Sequence, residues 1–166
     1  MPANTRDAEE RQMAERELST GPRIVAGADG SPSSMSALRW AIRQAALTGA
    51  AVDAVMAWHY PAAGGGYGWA PTGMEGSFDF KENAEKVLAD AISAAADPGS
   101  AVSVHALVVE GDPAQVLIDA SDHADLLVVG SRGHGGFTGA LLGSVSQHCV
   151  HHAHCPVVVI RGEQHE

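Results

Sequence analysis

The sequence predicts an α/β fold, a single open, doubly wound parallel sheet of five strands with helices on both faces and the strand order 3-2-1-4-5. Three observations predict the parallel α/β sheet. Short apolar, β-rich runs alternate with amphipathic segments of helical period along most of the 166 residues, which is the pattern of parallel strands joined by crossover helices. Two of those runs end in the same punctuation, an acidic residue and then a proline where a helix starts. A further run, ADLLVVG, is apolar almost throughout, as a strand covered on both faces must be, and it enters a glycine-rich loop.

The first strand is RIVAGAD, closed by Asp29-Gly30-Ser31-Pro32. Ser31 is a helix N-cap and Pro32 occupies the first helical position, where its missing N–H costs nothing. Leu38, Ala41, Ile42 and Ala45 then recur at helical spacing, and Thr48-Gly49 is the stop. AVDAVMAWHY is the second strand, read as buried. PAAGGGYGWAPTGMEGS is too rich in Gly and Pro for helix or strand and is read as a loop of the length that often covers a site. FKENAEKVLADAISAAA is the second helix, with a stripe of Ala84, Val87, Leu88, Ala91, Ile92 and Ala95. VSVHALVVEGD is the third strand. Asp112 caps the next helix and Pro113 opens it through AQVLIDAS; ADLLVVG, SVSQHCVHHA and CPVVVIR complete the order as strand, helix and strand. Residues 1–20 alternate acidic and basic side chains and read as a solvated extension, 21–162 as the folded domain and 163–166 as a tail.

Composition narrows the partners. A formal net charge of −10 argues against nucleic acid and anionic membrane, so neither is expected. It also makes anion binding a local task for oriented amides, a placed arginine or a divalent cation. No apolar run in the first 20 residues reads as a secretory signal, and no later stretch is long enough to span a bilayer, so the expected location is cytoplasmic. Cys149 and Cys155 are then free thiols.

After the fourth strand, Gly130, Gly133, Gly143 and Ser144 form a G-x2-G-x9-G-S frame. Glycine has no Cβ to keep a ligand off the backbone, and a helix start at Ser144 offers unpaired N–H groups to an anion. In the expected strand order the winding direction reverses between strands one and four, so the Asp29 and Gly130 loops face each other there. Both lysines, Lys81 and Lys86, lack the G-x4-G-K-S/T context of a P-loop, and no G-x-G-x-x-G follows the first strand. Arg132 is read equally as a phosphate contact and as a solvated side chain. Asp29 is read equally as a ligand contact and as a turn residue.

IVAGADGSPSSMSALRWA, GDPAQVLIDASDHADLLVVGSRG and GGFTGALLGSVSQHCVHHAHCPVVVIR together resemble the universal stress protein family, in its ATP-binding branch. The resemblance implies a nucleotide-binding alpha-hydrolase-like fold with ATP at the carboxyl edge of the sheet, accompanied by Mg2+, with AMP or another adenine nucleotide as the alternative ligand. By motif position, Asp29 contacts the ribose or adenine side and Ala57 offers main-chain groups to the adenine. Val129 and Gly130 line the ribose end, and Gly133, Gly143, Ser144 and Val145 approach the phosphates. The resemblance further implies a homodimer through the strand Val157 to Ile160. His134, where arginine or lysine is frequent, and His154, where proline is frequent, depart from the family pattern.

No general base or arginine-finger constellation accompanies the frame, so no catalytic residue is assigned and the expected role is nucleotide-dependent regulation in a stress response. The alternatives are a slow ATPase or nucleotidyl-transfer enzyme, with the Gly-rich loop and His134 completing its site, and a nucleotide-free dimeric scaffold. His148, His151 and His152 share one helix face at zinc-compatible spacing but read as helix surface, and no metal ligand is assigned. Trp58, Tyr60, Tyr67 and Trp69 either close over a base or pack on their own domain.

Overall fold

Apolar runs build a sheet whose central strands are buried on both faces, and its order is β3-β2-β1-β4-β5. The strands are β1 (Arg23–Gly27), β2 (Ala51–Trp58), β3 (Val104–Glu110), β4 (Leu126–Gly130) and β5 (Val157–Ile160). Every pairing is parallel, with Gly27 opposite Val55, Ile24 opposite Leu126 and Leu127 opposite Val157. The computed structural model describes residues 21–60, 79–133 and 141–162. The expected extension at 1–20, the whole Gly-rich loop with Tyr67 and Trp69, His134 and the tail at 163–166 lie outside the described residues.

The helices begin where the sequence places their caps. In α1 (Pro32–Thr48) Ser31 is the N-cap, its hydroxyl accepting from the Ser34 amide, and Gly49 ends the helix by donating its N–H to the Ala45 carbonyl. In α2 (Phe80–Ala95) the cap is Asp79, which the sequence reading did not single out. Asp112 caps α3 (Pro113–Ala120), and α4 (Ser144–His152) follows Gly143. Helices α1 and α2 cover one face of the sheet over Ile24, Ala26, Val52, Ala54, Met56 and Val128. Helices α3 and α4 cover the other over Val25, Val55, Leu107, Leu127 and Val129. The first interface is built on alanine, with Ala26, Ala37 and Ala41 all fully buried, so α1 lies close on the strands.

One residue breaks the apolar reading of β2. Asp53 is fully buried, its Oδ1 3.0 Å from His105 Nδ1 and its Oδ2 3.4 Å from Arg23 Nε. The Arg23 guanidinium also donates to the carbonyls of Ala120 (3.3 Å) and Asp122 (3.0 Å), which end or follow α3. A buried carboxylate requires such partners, and this set ties β1, β2, β3 and α3 together at the amino end of the sheet. The opposite end carries the loops.

Cys149 of α4 is fully buried in the second core, and Cys155 is partly buried. Burial first, then the charges of Asp112 and Cys155, push the Cys149 thiol up from 9.0 to about 11. The unfolded thiol therefore loses its proton before the folded one, so the stability tied to this group is complete below pH 9 and declines as pH rises towards about 11. We expect Cys149 to resist iodoacetamide at pH 8 until the chain is unfolded, and Cys149→Ala to flatten the alkaline limb of a urea-midpoint profile. Rapid native labelling of Cys149, or superimposable profiles, would contradict the assignment.

Candidate functional site

The winding reverses between β1 and β4, and there the carboxyl ends of both strands open into loops. β1 passes through Ala28, whose N–H still reaches the Val55 carbonyl at 2.9 Å, into Asp29-Gly30. Gly30 has φ 79°, a conformation that glycine adopts without strain, and it reverses the chain towards α1. Asp29 Oδ1 accepts from the Ser31 N–H at 2.8 Å, closing an Asx turn, while the Asp29 N–H donates to Ser34 Oγ at 3.3 Å. The turn role read for Asp29 is thus present. Its Oδ2 also crosses to the other loop, 2.8 Å from where a Cβ on Gly133 would stand.

Serines at the start of α1 hold the β4 loop. Ser33 Oγ donates to the Arg132 carbonyl, and the Arg132 N–H lies 3.4 Å from the same hydroxyl. Ser131 is held through its main chain, its N–H on the Ile160 carbonyl at 2.8 Å and its carbonyl accepting from Gly143 N–H at 2.7 Å. The Ser146 hydroxyl lies 3.2 Å from the Ser131 carbonyl and 3.0 Å from that of Gly143. The two ends of the glycine loop are therefore tied to each other, to α1 and to β5.

The three frame glycines answer to different constraints. A Cβ on Gly130 would come within 2.7 Å of the Ser33 carbonyl carbon and 2.8 Å of the Ser34 nitrogen, so α1 itself requires glycine there. Gly133 faces Asp29. A Cβ on Gly143 would meet only ordinary contacts, 3.4 Å to the Ser131 carbonyl oxygen and 3.6 Å to the Gly133 nitrogen, and Gly143 has φ −71°. Among the described residues nothing demands glycine at this position; a Cβ would simply occupy the space between the two arms of the loop. Among the described helices, α1, α2 and α3 have side-chain caps and α4 has none, so the amides of its first turn, beginning at exposed Ser144, are left for another acceptor.

The remaining expected residues fall around this centre. Ala57 is half-buried on β2, opposite Val109, two residues beyond the last β2 residue that pairs with β1. Val129 is 3 % exposed, so only its main chain is near the edge. Val145 packs against the α3/α4 core, and Arg132 is exposed beside Gly133. Next to them a cleft of ≈ 290 Å³ opens between the start of α1, the β4 loop and the residues after β5. Trp58, Tyr60 and Phe80 meet edge to face, with centroids 5.1 and 5.9 Å apart, while Tyr60 remains exposed. His148 and His152 are exposed on α4 with rings 4.5 Å apart, and His154 Nδ1 sits 3.0 Å from Asp122 Oδ1. The sequence reading missed Ser33, Ser131 and Ser146, although the serine run after Asp29 offered more hydroxyls than one cap uses.

Comparison with known proteins finds a model of the "Universal stress protein family" matching residues 22–161. A curated relative, Universal stress protein Rv1996 of Mycobacterium tuberculosis, is 38% identical over 144 residues, covering 83% of this chain and 43% of its own length. The chain thus spans less than half of the curated relatives it matches first. A universal stress protein crystallised in complex with cAMP is 27% identical, with a TM-score of 0.59 over 86% of this chain and 98% of that one. The protein MJ0577 shares the fold at a TM-score of 0.67 and 16% identity, over 87% of this chain and 98% of its own.

The glycine geometry predicts opposite behaviour for two alanine variants in urea unfolding. Gly130→Ala drives a Cβ into α1 backbone and should cost about 2 kcal/mol or more. Gly143→Ala fits its backbone and its space, so its stability should stay within about 1 kcal/mol of wild type. Equal losses in both variants would show that the loop closes more tightly than these distances allow.

Proposed function

The chain belongs to the universal stress protein family, and from that premise we propose that it binds ATP with Mg2+ at the carboxyl edge of its sheet and acts as a nucleotide-dependent regulator in the cytoplasm. The observation that carries the reading is Gly143. It is a glycine that the packing of the described residues does not require, standing where a Cβ would fill the gap to the Gly133 amide, at the start of the one described helix without a side-chain cap. An anion approaching those amides explains both facts.

In this reading Gly133, Gly143, Ser144 and Val145 present main-chain N–H groups to the phosphates, and Arg132 adds a charge at the rim. Asp29, Val129 and Gly130 border the ribose, and the main chain of Ala57 meets the adenine, one strand further out. Mg2+ travels with the phosphates and offsets part of their repulsion by a chain of net charge −10. The similarity to a family member crystallised with cAMP supports an adenine nucleotide as the ligand class. Micromolar affinity needs only about −8 kcal/mol, which several amide bonds to phosphate and burial of a base can supply. The four residues of β5, Val157–Ile160, are half-buried at the edge of the sheet, an apolar edge suited to pairing with a second copy. Free Cys149 and Cys155 suit a reducing compartment.

Titration calorimetry with MgATP, AMP, cyclic AMP and GTP tests the reading. Adenine nucleotides should bind in the micromolar range, and Gly143→Asp, which sets a carboxylate in the cradle, should weaken ATP by about a hundredfold or more while the variant keeps its fold. Absence of heat with every nucleotide, or undiminished binding to the variant, would remove it.

A further inference from the structure

We propose that the cleft on the α1 side of the glycine loop is an anion site in its own right, taking a phosphate-type oxyanion. At ≈ 290 Å³ it lies at the small end of ligand pockets, which run about 300–1,000 Å³, and it suits a phosphate or diphosphate better than a whole nucleotide. Its charge is opposite to that of the chain. Arg132, from the end of β4, and Arg161, from the end of β5, both line it, and among the described residues that line it none is acidic. Guanidinium groups recognise phosphate oxygens through paired N–H donors, and two approaching from separate strand ends can hold one anion from different sides.

A buried hydroxyl gives the second, independent observation. Ser131 lines the cleft and is 6% exposed, and no hydrogen bond among the described residues takes its side chain. Its main-chain N–H and carbonyl are both engaged, by Ile160, Gly143 and Ser146. A buried hydroxyl left without a partner costs about 1–3 kcal/mol, and an oxyanion in the cleft would accept its proton. Ser33, on the opposite wall, has its hydroxyl committed to the Arg132 main chain, so it fixes the cleft's shape rather than binding the ligand.

Position separates this cleft from the base end of the proposed nucleotide site. Ala57 is on β2 and Arg161 follows β5, three strand steps apart in the sheet, or roughly 14 Å at the usual strand spacing. A phosphate group can arrive from two sources, free pyrophosphate or the distal phosphates of bound ATP. Only the second rests on the nucleotide reading above.

Calorimetry with pyrophosphate, AMP and ATP on wild type, Arg161→Ala and Ser131→Ala decides the matter, with circular dichroism confirming that each variant is folded. Arg161 is exposed and belongs to no part of the proposed nucleotide cradle. Pyrophosphate should bind wild type and weaken by about tenfold or more in Arg161→Ala, with a smaller loss in Ser131→Ala, while AMP affinity is unchanged. If the source is bound ATP, Arg161→Ala also erases the preference for ATP over AMP; if it is a free anion, pyrophosphate still binds AMP-saturated protein. Wild type that neither binds pyrophosphate nor prefers ATP over AMP overturns the proposal, as do variants that match wild type for both. Arg161-dependent pyrophosphate binding in a chain that takes no nucleotide would instead refute the nucleotide reading and leave the cleft standing.

Discussion

The carboxyl edge of this sheet depends on how closely the first turn of α1 approaches β4. Gly130 has no side chain, so the Ser33 and Ser34 backbone lies within 2.7 and 2.8 Å of the point where its Cβ would be. At that distance the Ser33 hydroxyl can reach the Arg132 main chain, a link between residues 99 apart in sequence. Ser131 is fixed in turn between Ile160 and Gly143. The two ends of the loop, at Ser131 and at Gly143, are thus held in place, so ordering those residues costs no further entropy when a ligand arrives.

The two ends of the sheet solve different problems. At the amino end, Asp53, Arg23 and His105 form a buried charged set that also ties down the residues following α3. Removing one member would strand the others, so this end is costly to open. At the carboxyl end the ties are hydroxyl and amide hydrogen bonds, and charge appears on Asp29 and on arginines at the rim. In the proposed reading, rigidity at the amino end supports a recognising carboxyl edge made of main chain.

Local chemistry was legible in the sequence. Ser31-Pro32 and Asp112-Pro113 begin helices because capping depends on residues two or three apart, and Leu38, Ala41, Ile42 and Ala45 are all buried because a helical period needs no tertiary information. The parallel pairing followed from strand-helix alternation; the order 3-2-1-4-5 did not follow from it, although the sheet adopts that order. Asp53 was not legible, since a single acid within AVDAVMAW is outvoted by its neighbours and its partners come from other strands. The serine latch was hidden for the same reason, and so were the separate tasks of the glycines. A motif marks Gly130, Gly133 and Gly143 alike; only the atoms around each tell that α1 excludes a side chain at Gly130, Asp29 faces Gly133, and the protein leaves space at Gly143.

That difference bears on how an acidic chain can hold an anion at all. A lysine in the loop would attract phosphate strongly but with little directional demand, and its effect would be screened as salt rises. Amides at a helix start and in a tied loop offer partial charges at fixed positions, so they discriminate by geometry, and their orientation costs nothing further when the ligand arrives. A net charge of −10 weakens long-range attraction for any polyphosphate, so binding must come from short contacts or from an anion partly neutralised by a cation. In the proposed reading the fold meets that requirement by concentrating its oriented donors in one place. Arg132 adds charge at the rim, and Arg161 adds it at the neighbouring cleft, where the backbone alone offers less.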